Sequence, residues 1–318
     1  LREYELEVGT PVWLPGEGRA TRRVVDAESD RLEAQIVQQR LAVAGEVRDA
    51  YWAYRLAERA VDVAKRRLGS ARILEGDVGR QVRSGQAART DALLARAERL
   101  EVQRSLQEQE TALREARIAF TTLTGIARPP AVAVTPLSER SVVEHPRLVA
   151  LRASGAVARA NIGLARIQDR DSPEVSLFTR LERDDRDTPN ATSFGVRVRI
   201  PFATEGRNAP RRAAAQSELA QSNAELGMAE RQVLAEIERA RAGHGDAQSQ
   251  LRLAVDRRGT LAEHVGLLAR ARAAGDIGLS ELIRARSQLF DAEIDAARAE
   301  IAVEQTRSRL AQALGLDP

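Results

Sequence analysis

Apolar and alanine positions recur at intervals of three and four residues over most of this chain. Between residues 19 and 83 the pattern is free of proline, and a break follows at 84–86. A period near 3.6 indicates an amphipathic helix, and about 65 residues at roughly 1.5 Å each would span about 97 Å. The pattern also predicts a second long helix from near Asn208 to Ala274, and shorter helices over 90–124, 146–169 and 280–314.

Three shorter segments alternate with a period of two, which predicts β-strands. They cover residues 2–14, 173–181 and 192–202. In the first segment acidic residues alternate with Tyr4, Leu6 and Val8, and in the third Phe194 and Val196 are flanked by polar residues or glycine. The fold class predicted is therefore mainly α with a few β-strands.

The charged faces of these strands fit two different settings. One is an ordinary half-buried sheet, and the other is a membrane barrel, apolar toward lipid and polar toward its lumen. Three strands are too few to close a barrel, so a barrel would require an oligomer. On that interpretation the residues lining the barrel lumen are Glu3, Glu5, Glu7, Arg197 and Arg199.

The chain repeats itself at an offset of 190 residues. Residues 85–125 align without a gap to 275–315, matching Gly85 with Gly275 and Gly125 with Gly315. Each copy predicts a strand, a long helix, a tight tip and a shorter return helix, with Thr90 and Ser280 as N-caps of the return helices. The second copy also has an extra helix and strand in front, so we expect the first copy to be incomplete at its N-terminus.

Composition and charge exclude several function classes. Arg and Glu alternate along the helices, the net charge is only +3 and aromatics make up 3%. A nucleic-acid footprint would be a concentrated basic face, and none is visible. The chain has no cysteine and three histidines without helical ligand spacing, so we expect no metal site and no cofactor. No catalytic constellation is visible, so an enzyme is not expected.

Several short motifs resemble those of the TolC-type outer membrane efflux channels. The strand-to-helix junctions of that family are matched by 200–202 with 205–207, and more weakly by 14–15 with 17–19. The tip motif is matched by 275–283 and 85–93. The stretch 145–202 is most similar to the cobalt-zinc-cadmium (CzcC-like) branch of the family.

This resemblance implies a homotrimer with a 12-stranded outer membrane barrel and an α-helical tunnel across the periplasm. The protein would be the passive exit duct of a tripartite efflux pump for heavy-metal cations or drugs. It would work with a periplasmic adaptor and an RND-type inner membrane pump. The two repeats would be 1–127 and 145–318, joined by a proline-marked connector at 128–144. The alternative is a soluble periplasmic coiled-coil adaptor protein.

The resemblance also assigns roles to the tips. Asp91 and Glu281 would narrow the periplasmic aperture, with Arg284 at a place where the family can carry a second acid. An acid at a helix N-terminus also favours the macrodipole without any gating role. The tips that dock the adaptor would contain Gly85, Thr90, Gly275, Leu279 and Ser280, although glycine also suits a plain helix-breaking turn.

Overall fold

The computed structural model describes residues 2–130, 137, 141–168, 171–183, 191–202 and 205–316. Five α-helices and three β-strands account for most of these residues. In chain order they are β1 (Arg2–Pro11), α1 (Glu17–Arg83), α2 (Arg89–Thr124), α3 (Pro146–Ile167), β2 (Glu174–Arg183), β3 (Ala191–Arg199), α4 (Glu205–Ala274) and α5 (Leu279–Ala313). A short 3-10 turn, Val142–Glu144, precedes α3.

The chain forms two compact units. The first comprises Leu1–Gln39 and Ser141–Gln232, and it contains the three strands, α3 and the first parts of α1 and α4. The second comprises Arg40–Arg140 and Val233–Pro318, and it contains α2, α5 and the remainder of the two long helices.

In the first unit, the strands form one antiparallel sheet in the order β1-β2-β3. Glu5 lies opposite Arg180, and Val196 lies opposite Leu177. This register places the alternating apolar positions on one face, and the glutamates with Arg180, Arg197 and Arg199 on the other. The predicted strands are therefore confirmed, and their ends differ from the prediction by at most three residues.

A buried carboxylate ties the start of α1 to the approach to β2. Glu17 is 8% exposed. Its Oε1 accepts a hydrogen bond from Gln168 Nε2 (2.7 Å), and its Oε2 accepts from the backbone N–H of Leu14 (2.8 Å) and from Ser172 Oγ (3.0 Å). These bonds hold the pKa of Glu17 below its ordinary value. The bond from Gln168 has the largest effect, followed by the bond from Leu14.

In the second unit, α1 and α2 pack through small and medium side chains. Val102 of α2 is buried against Leu68 and Ala71 of α1, with Leu106 beside them. Thin helices of this kind bury little apolar area, and polar links between helices supplement the packing. Examples are the ion pairs Arg99–Glu75 (2.7 Å) between α1 and α2 and Arg257–Asp295 (2.8 Å) between α4 and α5.

The helix starts differ from prediction at three points. The residues preceding α2 and α5 are Ala88 and Gly278, in extended backbone, so the predicted N-caps Thr90 and Ser280 lie inside the first turn instead. The α4 helix begins at Glu205, ahead of Asn208, which leaves Pro210 in the second turn. A proline there cannot donate to the carbonyl of Gly206, a loss that the rest of this 70-residue helix outweighs.

Candidate functional site

The two predicted tips have the same backbone geometry. Gly85 and Gly275 adopt left-handed φ values of 76° and 88°. At the second tip Gly275 N–H donates to Arg272 O (3.1 Å) and Asp276 N–H donates to Ala271 O (3.0 Å). Gly85 and Gln86 make the corresponding bonds to Val82 and Gln81. This is the Schellman ending of a helix, which requires a residue that tolerates positive φ.

Below the tips lies a small apolar core. Leu279 packs with Leu74, Val78 and Ala95, and it is only 2% exposed. Its side chain is therefore occupied in packing beneath the tip. Gly85, Thr90, Gly275 and Ser280 are all exposed and remain candidates for contact with an adaptor.

An ion pair joins the end of α4 to the start of α2. Arg272 Nη2 lies 3.1 Å from Asp91 Oδ2, and the two side chains are 23% and 28% exposed. Arg272 Nη1 also donates to the carbonyl of Ile277 (3.4 Å). Asp91 lies in the first turn of α2, and its side chain is also held by a residue of the other repeat.

The second predicted aperture acid has a different environment. Glu281 and Arg284 are both exposed on the first turns of α5. Within the described part of the chain, neither side chain forms an ion pair, with the other or with any further residue. The Glu281 carboxylate is accordingly available to solvent.

The charged face of the sheet is an ion-pair network. Arg197 of β3 lies 2.7 Å from Glu5 and also pairs with Glu7, both on β1. From β2, Arg180 pairs with Glu5 at 3.2 Å. Arg199 pairs more loosely with Glu174, at 3.6 Å. Four of the five predicted lumen residues thus share one charged face; the side chain of Glu3 lies outside the described residues.

Glycine makes room for an aromatic ring on this charged face. Phe178 lies over Gly195, where a Cβ atom would come within 2.5 Å of the ring. The Arg197 guanidinium stacks on the same ring at 4.8 Å from its centroid. The ring thus helps to fix the orientation of Arg197 toward the glutamates.

The opposite face of the sheet is apolar and exposed. Phe194 is 80% exposed. The other large exposed side chains on this face are Tyr4, Leu6, Val8, Leu177, Leu181, Val196 and Val198. A contiguous exposed apolar patch of this kind marks an interaction surface. Among the helices of the described residues, none has the length and apolar character needed to cross a membrane.

Two residues of these sites were missed by the sequence reasoning. Arg272 corresponds to Val82 of the first repeat, so the sequence already showed that the two repeats differ at this position. It did not show that Arg272 pairs with Asp91. Arg180 stands among the alternating polar positions of β2. Its pairing with Glu5 depends on β1 lying beside β2, a neighbour relationship that strand patterns do not reveal.

Comparison with known proteins identifies the fold. The CmeC outer membrane channel of Campylobacter jejuni superposes with a TM-score of 0.75 at 16% identity, over 98% of this chain and 70% of that one. CusC gives 0.76 at 17% identity, over 99% and 83%. The open-state MtrE outer membrane channel of Neisseria gonorrhoeae gives 0.75 at 19% identity, over 99% and 76%. These likenesses concern the fold.

The family assignment is based on a sequence match. The family model described as outer membrane efflux protein matches residues 137–316, which is more than half of the chain. A search of curated proteins gave no significant match. The family match favours the channel interpretation over the adaptor alternative. The chain belongs to the outer membrane efflux protein family, a family of outer membrane transport components rather than enzymes.

Proposed function

We propose that this protein is a protomer of a passive outer membrane exit duct in a tripartite efflux pump. The observation that carries the proposal is the sheet, which is apolar and exposed on one face and charged and ion-paired on the other. A half-buried sheet in a water-soluble protein would cover its apolar face. A sheet between lipid and a water-filled lumen needs this arrangement instead.

The sheet would supply strands to a 12-stranded barrel of a homotrimer. Phe194, Val196 and Val198 would then face outer membrane lipid. The charged set, consisting of Glu3, Glu5, Glu7, Arg197 and Arg199, would line the lumen. Because the two positive charges of Arg180 and Arg197 offset those of Glu5 and Glu7, the net charge presented to a passing solute would be smaller than the glutamates alone suggest.

The helices would form a periplasmic tunnel that narrows at the tips. Glu281 is the stronger candidate for the aperture, because its carboxylate is exposed and makes no ion pair among the described residues. Asp91 would contribute through its link to Arg272, as a tie that holds the tip closed. Arg284, exposed one turn from Glu281, would reduce the preference of the opening for cations.

The tips would also meet the partner proteins. Gly85, Thr90, Gly275 and Ser280 are exposed at the turns and would contact a periplasmic adaptor, with Leu279 supporting them from below. The adaptor would connect the duct to an RND-type inner membrane pump. Residues 1–127 and 145–318 would act as the two efflux repeats, joined by the connector at 128–144, of which 131–136 and 138–140 lie outside the described residues.

The cargo would be heavy-metal cations or drugs. The resemblance of 145–202 to the cobalt-zinc-cadmium branch supports metals. No group of three or more metal-ligating side chains is formed among the described residues, so a metal ion would pass through rather than be bound. Selection would then rest with the pump and adaptor.

A pair of substitutions on adjacent residues tests the proposal. Phe194→Glu places a charge on the apolar face of the sheet, and Ser193→Glu places the same charge on the opposite face. We expect the first variant of the full-length protein to lose trimer assembly in outer membrane fractions and conductance in planar bilayers. The second should retain both. Equal behaviour of the two variants, or a wild-type protein that purifies without detergent and conducts no ions, would contradict the proposal.

A further inference from the structure

A polar cleft of about 320 Å³ lies among α1, α4 and α5 in the second unit, away from the tips. Its charged lining consists of Arg59, Arg66, Arg258, Glu293 and Glu300. Neither the family assignment nor the proposed duct gives this cleft a role.

The cleft exists because small residues stand where larger ones would fill the space. Gly259 and Ala262 of α4 lie in its lining, and Ala297 of α5, which is buried, lies there as well. A leucine at any of these positions would occupy much of the volume. The size is at the lower end of the range of roughly 300–1,000 Å³ found for small-ligand pockets.

The charges of the cleft are unbalanced. Three guanidinium groups face two carboxylates. Arg59 is paired with Glu300 at 3.2 Å. Within the described residues, Arg66 and Arg258 have no carboxylate within 4.0 Å. Besides the Arg59–Glu300 pair, two guanidinium groups on different helices and the one carboxylate of Glu293 line the cleft, which leaves an excess of one positive charge.

Guanidinium groups are suited to one class of ligand. The planar fork of arginine donates two parallel hydrogen bonds to a carboxylate or a phosphate group. Two such forks facing one cleft can hold an oxyanion from both sides. Glu293, on the wall formed by α5, can accept a hydrogen bond from a hydroxyl or ammonium group elsewhere on the same ligand.

We propose that this cleft binds a small oxyanion, a phosphate or carboxylate group, between Arg66 and Arg258. Arg59 stays engaged with Glu300 and takes no part in holding the ligand. The binding does not depend on channel activity, so its test is separate from the tests of the duct.

The test is titration calorimetry on the purified full-length protein with inorganic phosphate and, in a second arm, succinate. Ionic strength is held constant because exposed arginines attract anions in a salt-dependent way. The variants are Arg66→Gln and Arg258→Gln. The matched control is Arg257→Gln, which removes the neighbouring arginine of α4, a residue outside the cleft lining and paired with Asp295 at 2.8 Å. Circular dichroism checks that each variant is folded.

We expect saturable binding that weakens by about tenfold or more in each cleft variant, as for loss of one charge-assisted contact. The Arg257→Gln control should stay within about twofold of the wild type. Tighter binding of phosphate would assign a phosphoryl ligand, and tighter binding of succinate a carboxylate ligand. Absence of saturable binding of both probes, unchanged affinity in folded cleft variants, or an equal loss in the control would overturn the proposal.

Discussion

Arg272, at the end of α4, lies 3.1 Å from Asp91, in the first turn of α2. The pair joins the two sequence repeats at their tips, and each partner comes from a different copy. Because both side chains are about a quarter exposed, the pair is partly shielded from water but remains accessible to salt.

Breaking this pair should loosen the tip. In a double-mutant cycle with Arg272→Ala and Asp91→Ala, we expect a coupling free energy of about 0.5–1 kcal/mol, in line with partly exposed pairs. In planar bilayers, each single variant of the full-length protein should spend more time in a high-conductance state. Arg270→Ala, an exposed arginine one half-turn away, is the control and should match the wild type. A coupling of zero would show that the pair does not constrain the tip.

Glu281→Gln should reduce the preference of the channel for cations. The exposed carboxylate attracts cations to the proposed aperture, and the amide removes the charge while keeping the shape. Reversal potentials under a salt gradient measure the change. Glu263→Gln, on an exposed position of α4, is the control for loss of one acid at a distance from the tip. If both variants shift the reversal potential equally, Glu281 does not line the aperture.

Gly275 allows turn geometry to be separated from docking. Gly275 has a φ of 88°, so Gly275→Val should destabilise the tip by about 1–2 kcal/mol. Gly275→Asn should destabilise it less, because asparagine tolerates this backbone region. Thermal unfolding followed by circular dichroism measures the difference. Efflux by cells carrying the asparagine variant then reports on docking alone. Full efflux with asparagine would show that the tip needs only the turn, and loss of efflux from intact trimers would support contact with an adaptor.

Glu17 should make the junction between sheet and helix sensitive to acid. Its pKa is lowered in the folded protein, chiefly by the hydrogen bond from Gln168, so its contribution to stability is present above the ordinary value of 4.5. This contribution is lost as the pH falls below 4.5 and then through the lower pKa that Glu17 has in the folded protein. Glu17→Ala leaves the buried N–H of Leu14 and two half-buried side-chain donors without an acceptor, and it should destabilise the junction by about 2–3 kcal/mol at neutral pH.

Hydrogen exchange of the peptide containing Leu14 measures this local effect. The variant should exchange faster than the wild type near neutral pH, and the difference should shrink once the wild-type carboxylate is protonated. Glu28→Gln, on an exposed position of α1, provides the control. Equal protection in all three proteins at neutral pH would remove Glu17 from the junction.

Much of the secondary structure was determined by the sequence alone. The 3.6-residue period over 19–83 is long enough to predict α1 within two residues, and Gly85 and Gly275 mark its end and that of α4 because few other residues adopt positive φ. The alternation in 192–202 separates Phe194 from Arg197 because successive side chains of a strand point to opposite faces. These are local properties of the chain.

The pairings were decided only by the tertiary structure. No period in the sequence shows that Arg272 meets Asp91, 181 residues away, or that Glu17 receives a bond from Gln168. Leu279 has the pattern of a tip residue, yet it is buried, because the neighbouring helices place Leu74 and Ala95 against it. A side chain's spacing along its own helix fixes the face on which it lies. What covers that face depends on which other elements pack there, and that is settled by the fold.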